Sequence, residues 1–177
     1  TAEQRSKVVS RKTTIVGTGV SAEAEKAAQA DLADKLAGHD TDTIGAPKEY
    51  RLYTAEAWDT ELADKFPEES KKERAGIKGL YNPRTGSVML PISSTGVNRD
   101  ILSHELGHAM YGKSSNMRQR WQAASTNPSF DRHTSYSRTD TAEAFAESFM
   151  LLKSGRGTPP GTYGQTFGLI KRGLAGG

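Results

Sequence analysis

The segment His104-Glu105-Leu106-Gly107-His108 constrains this chain more than any other. On a helix, residues four positions apart share a face, so the imidazoles of His104 and His108 can bind one metal ion with Glu105 beside them. Zinc suits such a pair because it readily accepts neutral imidazole nitrogen and, in catalytic sites, keeps one position open for water. The segment therefore predicts a helix that carries a zinc site.

Neighbouring residues predict where this helix begins and ends. Asn98 is a candidate N-cap, and Gly112 with Lys113 is typical of a helix C-terminus. At 100° per residue, the apolar side chains lie opposite the two histidines and Glu105; they are Leu102, Leu106, Ala109 and Met110. The pattern predicts one face in the core and the other face carrying chemistry.

Composition narrows the class of protein. The 177 residues suit one domain with a real core, while 34% apolar residues and 18 glycines predict a polar, loop-rich one. The net charge of +3 is small, and basic residues are interspersed with acids, which argues against nucleic-acid binding. The lack of cysteine excludes disulfides, thiolate metal sites and a cysteine nucleophile. No apolar run approaches the ~20 residues of a membrane span.

The remaining segments predict an α+β fold. Residues 1–20 are basic and rich in Ser and Thr, which favours an arm or linker, although residues 14–16 suit a short strand. Residues 21–177 are predicted to form one domain with a small mixed sheet, the motif helix beneath it and a helical C-terminal part. Periodicity and cap residues predict strands at 50–53, 77–81 and 86–90, and further helices at 21–36, 55–66, 118–124 and 140–152.

A catalytic zinc site needs a third protein ligand besides the two imidazoles. The candidates are Glu143, Glu147, His133, Asp140 and Asp131. Glu143 is favoured because it projects from the polar side of a helix whose other side packs in the core. The equally weighted alternative is a capping box, in which Asp140 caps the helix and Glu143 returns a hydrogen bond. Two acids four residues apart repel each other on a bare helix. The spacing of Glu143 and Glu147 therefore also indicates a nearby cation or hydrogen-bond partner.

The run from Ser135 to Phe149 resembles the third-ligand segment of the anthrax lethal factor catalytic domain, a gluzincin-like metallopeptidase family that is also similar to the bacterial Pro-Pro endopeptidases. That family places a tyrosine seven residues before the metal-binding glutamate, Arg-Thr between them, and a second glutamate four residues later. The matching positions are Tyr136, Arg138, Thr139, Glu143 and Glu147, and the motif helix precedes them in the expected order. The resemblance covers mainly residues 77–153, under half of the chain.

This resemblance implies a zincin-like peptidase that holds one catalytic Zn²⁺ through His104, His108 and Glu143. Glu105 is expected to take a proton from water and pass it to the leaving amine. Tyr136 is expected to stabilise the developing oxyanion, the alternative being an ordinary loop tyrosine. Glu147 is assigned to the orientation of a ligand histidine, the alternative being a solvated helix glutamate. The family implies a protein or peptide substrate, and an enzyme that is secreted or delivered into a target cell.

Residues 86–90 precede the motif helix, and here a zincin-like chain would place the edge strand that pairs with a substrate backbone. Val88, Met89 and Leu90 are therefore predicted to bind substrate, with an ordinary sheet strand as the equally weighted alternative. His39 is interpreted as a surface or loop histidine. Two other functions remain open: a zinc-binding structural or interaction module without turnover, and a zinc hydrolase that acts on a non-peptide bond.

Overall fold

The structure is a computed structural model of the chain, and it describes residues 1–37, 39, 46–126 and 140–154. Within these ranges the protein is a small α+β protein with a four-stranded mixed sheet and seven helices. The helices are α1 (Ala2–Lys12), α2 (Ala22–Leu36), α3 (Ala55–Lys65), α4 (Lys71–Arg74), α5 (Arg99–Lys113), α6 (Ser115–Ser125) and α7 (Thr141–Lys153). The strands are β1 (Thr13–Val16), β2 (Glu49–Tyr53), β3 (Leu80–Asn82) and β4 (Ser87–Pro91).

The chain groups into two compact units. The first comprises the described residues of Thr1–Gly38 and Lys48–Leu102, and the second comprises those of His39–Pro47 and Ser103–Gly177. Residues 1–20 belong to the first unit. Across the described ranges, none of the helices combines the length and apolarity needed to cross a membrane.

The first unit contains the sheet, whose strand order is β1-β2-β4-β3. Strands β1, β2 and β4 run parallel, and β3 is antiparallel to β4. A core of buried side chains connects the sheet to α3; its members are Tyr53, Trp58, Leu62 and Met89. Helix α3 begins where the Thr54 hydroxyl accepts from the Ala57 N–H, and it ends at Lys65, two residues before Pro67.

The segment 1–20, predicted to be an arm or linker, contains regular secondary structure. Residues 2–12 form helix α1, and residues 13–16 form β1, which pairs in parallel with β2 from Thr13 to Val16. The alternative of a short strand at residues 14–16 is confirmed. The polar composition of this segment concealed its structure, because a β-branched edge strand needs a pairing partner rather than a long apolar run.

The prediction that residues 86–90 form an edge strand of the sheet is wrong. Strand β4 pairs with β2 along its whole length, and Val88 and Met89 pair with β3 on the other side. The side chains of Val88, Met89 and Leu90 are at most 3% exposed. The alternative of an ordinary sheet strand is therefore confirmed, and a substrate backbone has no open edge at Val88 and Met89.

The second unit is built around aromatic contacts between helices. Phe145 on α7 packs edge-on against Trp121 of α6 with 5.1 Å between ring centroids, and it lies 5.3 Å from the ring of Tyr111 on α5. The Trp121 indole N–H donates to the Thr141 carbonyl at 3.0 Å, so the buried ring has its polar group satisfied. These contacts fix α6 and the start of α7, and both predicted helices are confirmed.

Candidate metal centre

Helices α5 and α7 approach each other closely at Gly107. A Cβ atom at this position would lie 2.8 Å from the Ala146 Cα and 3.2 Å from the Phe149 Cβ, distances that leave no room for a side chain. Gly107 lies between His104 and His108 on α5, and Ala146 lies three residues after Glu143 on α7. The glycine therefore brings the glutamate within reach of both imidazoles.

Three ligand atoms meet at this crossing. The Nε2 atoms of His104 and His108 are 3.2 Å apart. The carboxylate of Glu143 faces both nitrogens: its Oε2 lies 3.1 Å from His104 Nε2, and its Oε1 lies 3.1 Å from His108 Nε2. Metal–ligand distances of about 2.0–2.1 Å at tetrahedral angles separate neighbouring ligand atoms by about 3.3 Å. The spacing therefore suits one tetrahedral metal ion, and these three residues form a partly buried group that could hold one.

The hydrogen bonding of the polar atoms is also compatible with a bound cation. Glu143 Oε2 is buried and makes no hydrogen bond with any described residue, although His104 Nε2 is 3.1 Å away. On the other side of the ring, His104 Nδ1 lies 2.9 Å from Glu147 Oε1. A proton held on Nδ1 by this carboxylate leaves the Nε2 lone pair facing Glu143. A lone pair and a carboxylate oxygen that face each other call for a positive charge between them.

In the metal-free protein, a proton on His104 supplies this positive charge. Burial by itself lowers the pKa of His104, but the carboxylates of Glu143 and Glu147 outweigh burial and raise that pKa to about 9. Burial would likewise raise the pKa of Glu143, yet the imidazoles of His104 and His108 lower it to about 2. At neutral pH the metal-free site is therefore a protonated His104 between two carboxylates.

Glu105 occupies the same turn of α5 as the metal-ligand candidates but is more deeply buried, with 5% of its surface exposed. Burial raises its pKa to about 7, and the nearby imidazoles of His108 and His104 counteract only part of that rise. A carboxyl group with a pKa near neutral can both accept and donate a proton under ordinary conditions.

The structure brings together His104, His108, Glu143 and Glu147 as the sequence predicted. Among the other candidates, only Asp140 lies in the described ranges, and it does not join them. Asp140 caps α7, and its carboxylate accepts from the Glu143 N–H at 2.8 Å. The remaining predicted site residues lie outside the described ranges; they are Tyr136, Arg138, Thr139, His133 and Asp131.

Sequence reasoning missed two features of this centre. His39 is a loop residue as predicted, but it is not on the surface: it is 9% exposed and hydrogen-bonds Ser103, the residue before His104. Neither residue carries a sequence signal, because their contact spans 64 positions. The role of Gly107 did have a sequence signal, because a glycine inside a helix lowers stability and is therefore expected where close packing requires it.

Replacing Gly107 with alanine is expected to destabilise the protein by about 1–3 kcal/mol, because the added methyl group forces the two helices apart. Metal affinity should fall with it, since Glu143 moves with α7. Urea unfolding of the metal-free protein and zinc titration measure both effects. Gly112 on the same helix is exposed, so Gly112→Ala is the matched control and should be neutral or slightly stabilising. Equal stability of the two variants would contradict close packing at Gly107.

Metal binding is expected to be pH-dependent because a ligand imidazole must be neutral. With the His104 pKa at about 9, zinc affinity should rise up to tenfold per pH unit from pH 7 and level off above pH 9. The stability contributed by the ion pairs of His104 in the metal-free protein runs the opposite way: it is fully present below pH 6.5 and is lost as pH rises through about 9. Calorimetry at pH 7.5 in two buffers of different ionisation enthalpy should show proton release. No proton release would place the His104 pKa well below 7.

No protein-family model matches the chain, and no curated protein matches it at a significant level. The evidence for a function therefore comes from the geometry of these residues and from the motif pattern of the sequence.

Proposed function

We propose that the protein is a zinc-dependent endopeptidase with a zincin-like catalytic region, which hydrolyses peptide bonds of protein substrates. The observation that carries this proposal is the His104–His108–Glu143 group with the buried Glu105 beside it. The order of the two motif segments, which resembles that of the lethal factor catalytic domain, supports the same assignment. The resemblance extends the proposal to a toxin-like or secreted bacterial enzyme.

Zinc is the metal that the donor set favours. Two imidazole nitrogens and one carboxylate oxygen are the ligands of a common class of catalytic zinc sites, in which the fourth position is left for water or substrate. When bound, zinc would polarise a carbonyl group and lower the pKa of water at its open position toward ~7. A Zn²⁺ ion with these three ligands would carry a net charge of +1, because the two imidazoles are neutral and Glu143 contributes one negative charge, and this charge would attract a carbonyl oxygen.

Glu105 supplies the proton transfers in this proposal. Its position in the chain next to His104 keeps its carboxylate beside the ligand atoms without adding a fourth ligand. The carboxylate accepts a proton from the attacking water as the water oxygen bonds to the peptide carbonyl carbon. It then donates this proton to the amine nitrogen as the carbon–nitrogen bond breaks. A pKa that burial raises toward neutrality suits a group that must do both.

Two further residues have assigned roles. Glu147 holds the Nδ1 proton of His104 through its 2.9 Å contact, which orients the imidazole and makes it a better ligand. Tyr136 is assigned to the developing oxyanion on the strength of its seven-residue spacing from Glu143. A positively charged zinc and a phenol donor would then share the stabilisation of the transition state.

Metal analysis of the purified protein, followed by digestion of casein and a peptide library, tests the proposal. Stoichiometric zinc and cleavage that stops with chelator and returns with zinc are the expected results. Zinc without cleavage, with Glu105→Gln having no effect on any property of the site, would favour a binding or structural module. A zinc-bound protein that cleaves no library peptide but hydrolyses a small ester in a chelator-sensitive way would favour a hydrolase of non-peptide bonds.

A further inference from the structure

His39 makes a buried polar contact with the motif helix. Its Nε2 atom lies 2.8 Å from the Ser103 hydroxyl, and the two residues are 9% and 2% exposed. Ser103 directly precedes His104 on α5, so this contact acts on the helix within one residue of a metal ligand. A hydrogen bond between two buried polar groups resists rotation of the helix, because rotation would break it.

The same histidine also contacts the helix that carries Glu143. The ring centroids of His39 and Phe149 are 6.3 Å apart, with 35° between their planes. Phe149 is 3% exposed, and its Cβ is one of the atoms that crowd Gly107 on α5. One imidazole from a distant part of the chain therefore touches both helices at the crossing that assembles the metal ligands.

A second contact joins α5 to a residue that follows His39 in the sequence. The Lys113 ammonium group donates to the Ala46 carbonyl oxygen at 2.6 Å. Ser103 and Lys113 lie on α5 on either side of His104 and His108, so the helix is contacted from the same neighbourhood of the sequence before and after the two histidines.

We propose that His39 is a positioning residue for the metal centre, acting through Ser103 on α5 and through Phe149 on α7. A ligand nitrogen lies about 7 Å from its helix axis, so a rotation of about 10° moves it by about 1 Å. Metal–ligand distances tolerate only about 0.2 Å. A contact that fixes the rotation of α5 next to His104 therefore controls how well the three ligands fit an ion. The inference rests on the proposed metal site but not on peptidase activity.

Variants of His39 separate its two contacts. His39→Ala is expected to weaken zinc binding about tenfold and to change the visible spectrum of the Co²⁺-substituted protein, which reports ligand geometry. His39→Gln keeps an amide that can donate or accept a hydrogen bond near the position of Nε2, and it should recover most of the affinity. His39→Phe keeps the ring against Phe149 without the hydrogen bond and should not. Competition with a chromophoric chelator gives the Kd for zinc in each case.

The partner residue supplies a variant that is compatible with folding. Ser103→Ala places a good helix former in α5 and removes the hydroxyl that hydrogen-bonds His39, so zinc affinity should again fall about tenfold. The double variant should be no weaker than either single variant, because both remove one interaction. Ser125→Ala, which removes a hydroxyl that donates to Gln122 on α6, is the matched control and should change nothing.

Three results distinguish this inference from the proposed function. Single variants with wild-type zinc affinity and wild-type Co²⁺ spectra would overturn the inference alone. Additive losses in the double variant would also overturn it, since His39 and Ser103 would then act separately. A wild-type protein that binds zinc but cleaves no peptide would remove the peptidase and leave the coupling of His39 to the metal intact.

Discussion

Glu143→Ala is expected to leave the protein without stoichiometric zinc. The carboxylate would supply the third ligand atom and a negative charge, since Oε2 lies 3.1 Å from His104 Nε2 and Oε1 lies 3.1 Å from His108 Nε2. Without it, two imidazoles alone must hold the ion, and the loss should exceed the 10–100-fold cost of removing a group that only contacts a ligand. Metal analysis after dialysis and a chelator-competition Kd measure the effect.

Glu147→Ala is the matched control for this experiment. Both glutamates lie on α7, four residues apart, and their side chains are similarly buried at 18% and 12% exposure. Removing Glu147 takes away the partner of His104 Nδ1 but no ligand atom, so zinc should bind 10–100-fold more weakly and still reach stoichiometry. Stoichiometric zinc in Glu143→Ala would contradict the proposed centre and would shift the third ligand to His133 or Glu147.

Glu105→Gln is expected to retain zinc and to lower peptide cleavage by about 10²–10⁴-fold. The amide has the size of the carboxylate but cannot accept the proton of the attacking water, and this range is the usual contribution of a positioned acid or base. The ligand atoms come from other residues, so zinc affinity should stay within a few-fold of wild type. Cleavage rates of one peptide at saturating zinc, with metal content measured on the same samples, give both values.

A glutamate outside the site provides the control for Glu105. Glu61 on α3 pairs with Lys65 at 3.2 Å, and Glu61→Gln removes a carboxylate with the same chemistry from the first unit. This variant should cleave peptides at the wild-type rate. A zinc-loaded Glu105→Gln protein that is equally active would show that another group moves the proton, and it would remove the central step of the proposed mechanism.

Local patterns predicted the elements that carry the site. The motif helix begins after Asn98, whose side chain accepts from the Ile101 N–H at 3.0 Å, and it ends at Lys113. Helix α7 begins after Asp140 as expected. These limits depend on cap residues and on a 3.6-residue period, both of which act over one or two turns. The histidine spacing and the two glutamates four residues apart were visible for the same reason.

Contacts between distant residues decided what these patterns left open. Nothing local places β4 between β2 and β3 or pairs β1 with β2, because sheet order depends on segments far apart in the chain. The burial of Glu105, on a face predicted to carry chemistry, and the burial of His39 are likewise results of packing.

Glu143 shows the division between sequence and tertiary structure within one residue. Its N–H donates to the Asp140 side chain, which caps α7. This cap is compatible with Glu143 as a capping-box residue and with Glu143 as a metal ligand, and the sequence alone supports both interpretations. Its carboxylate lies between two imidazoles because Gly107 lets α7 pack directly against α5. The sequence determined which side chains were available and which helix faces they share. Only the close approach of α5 and α7 determined that these side chains meet. The distance between the two helices is set by packing between residues far apart in the chain, since His104 and Glu143 are 39 positions apart.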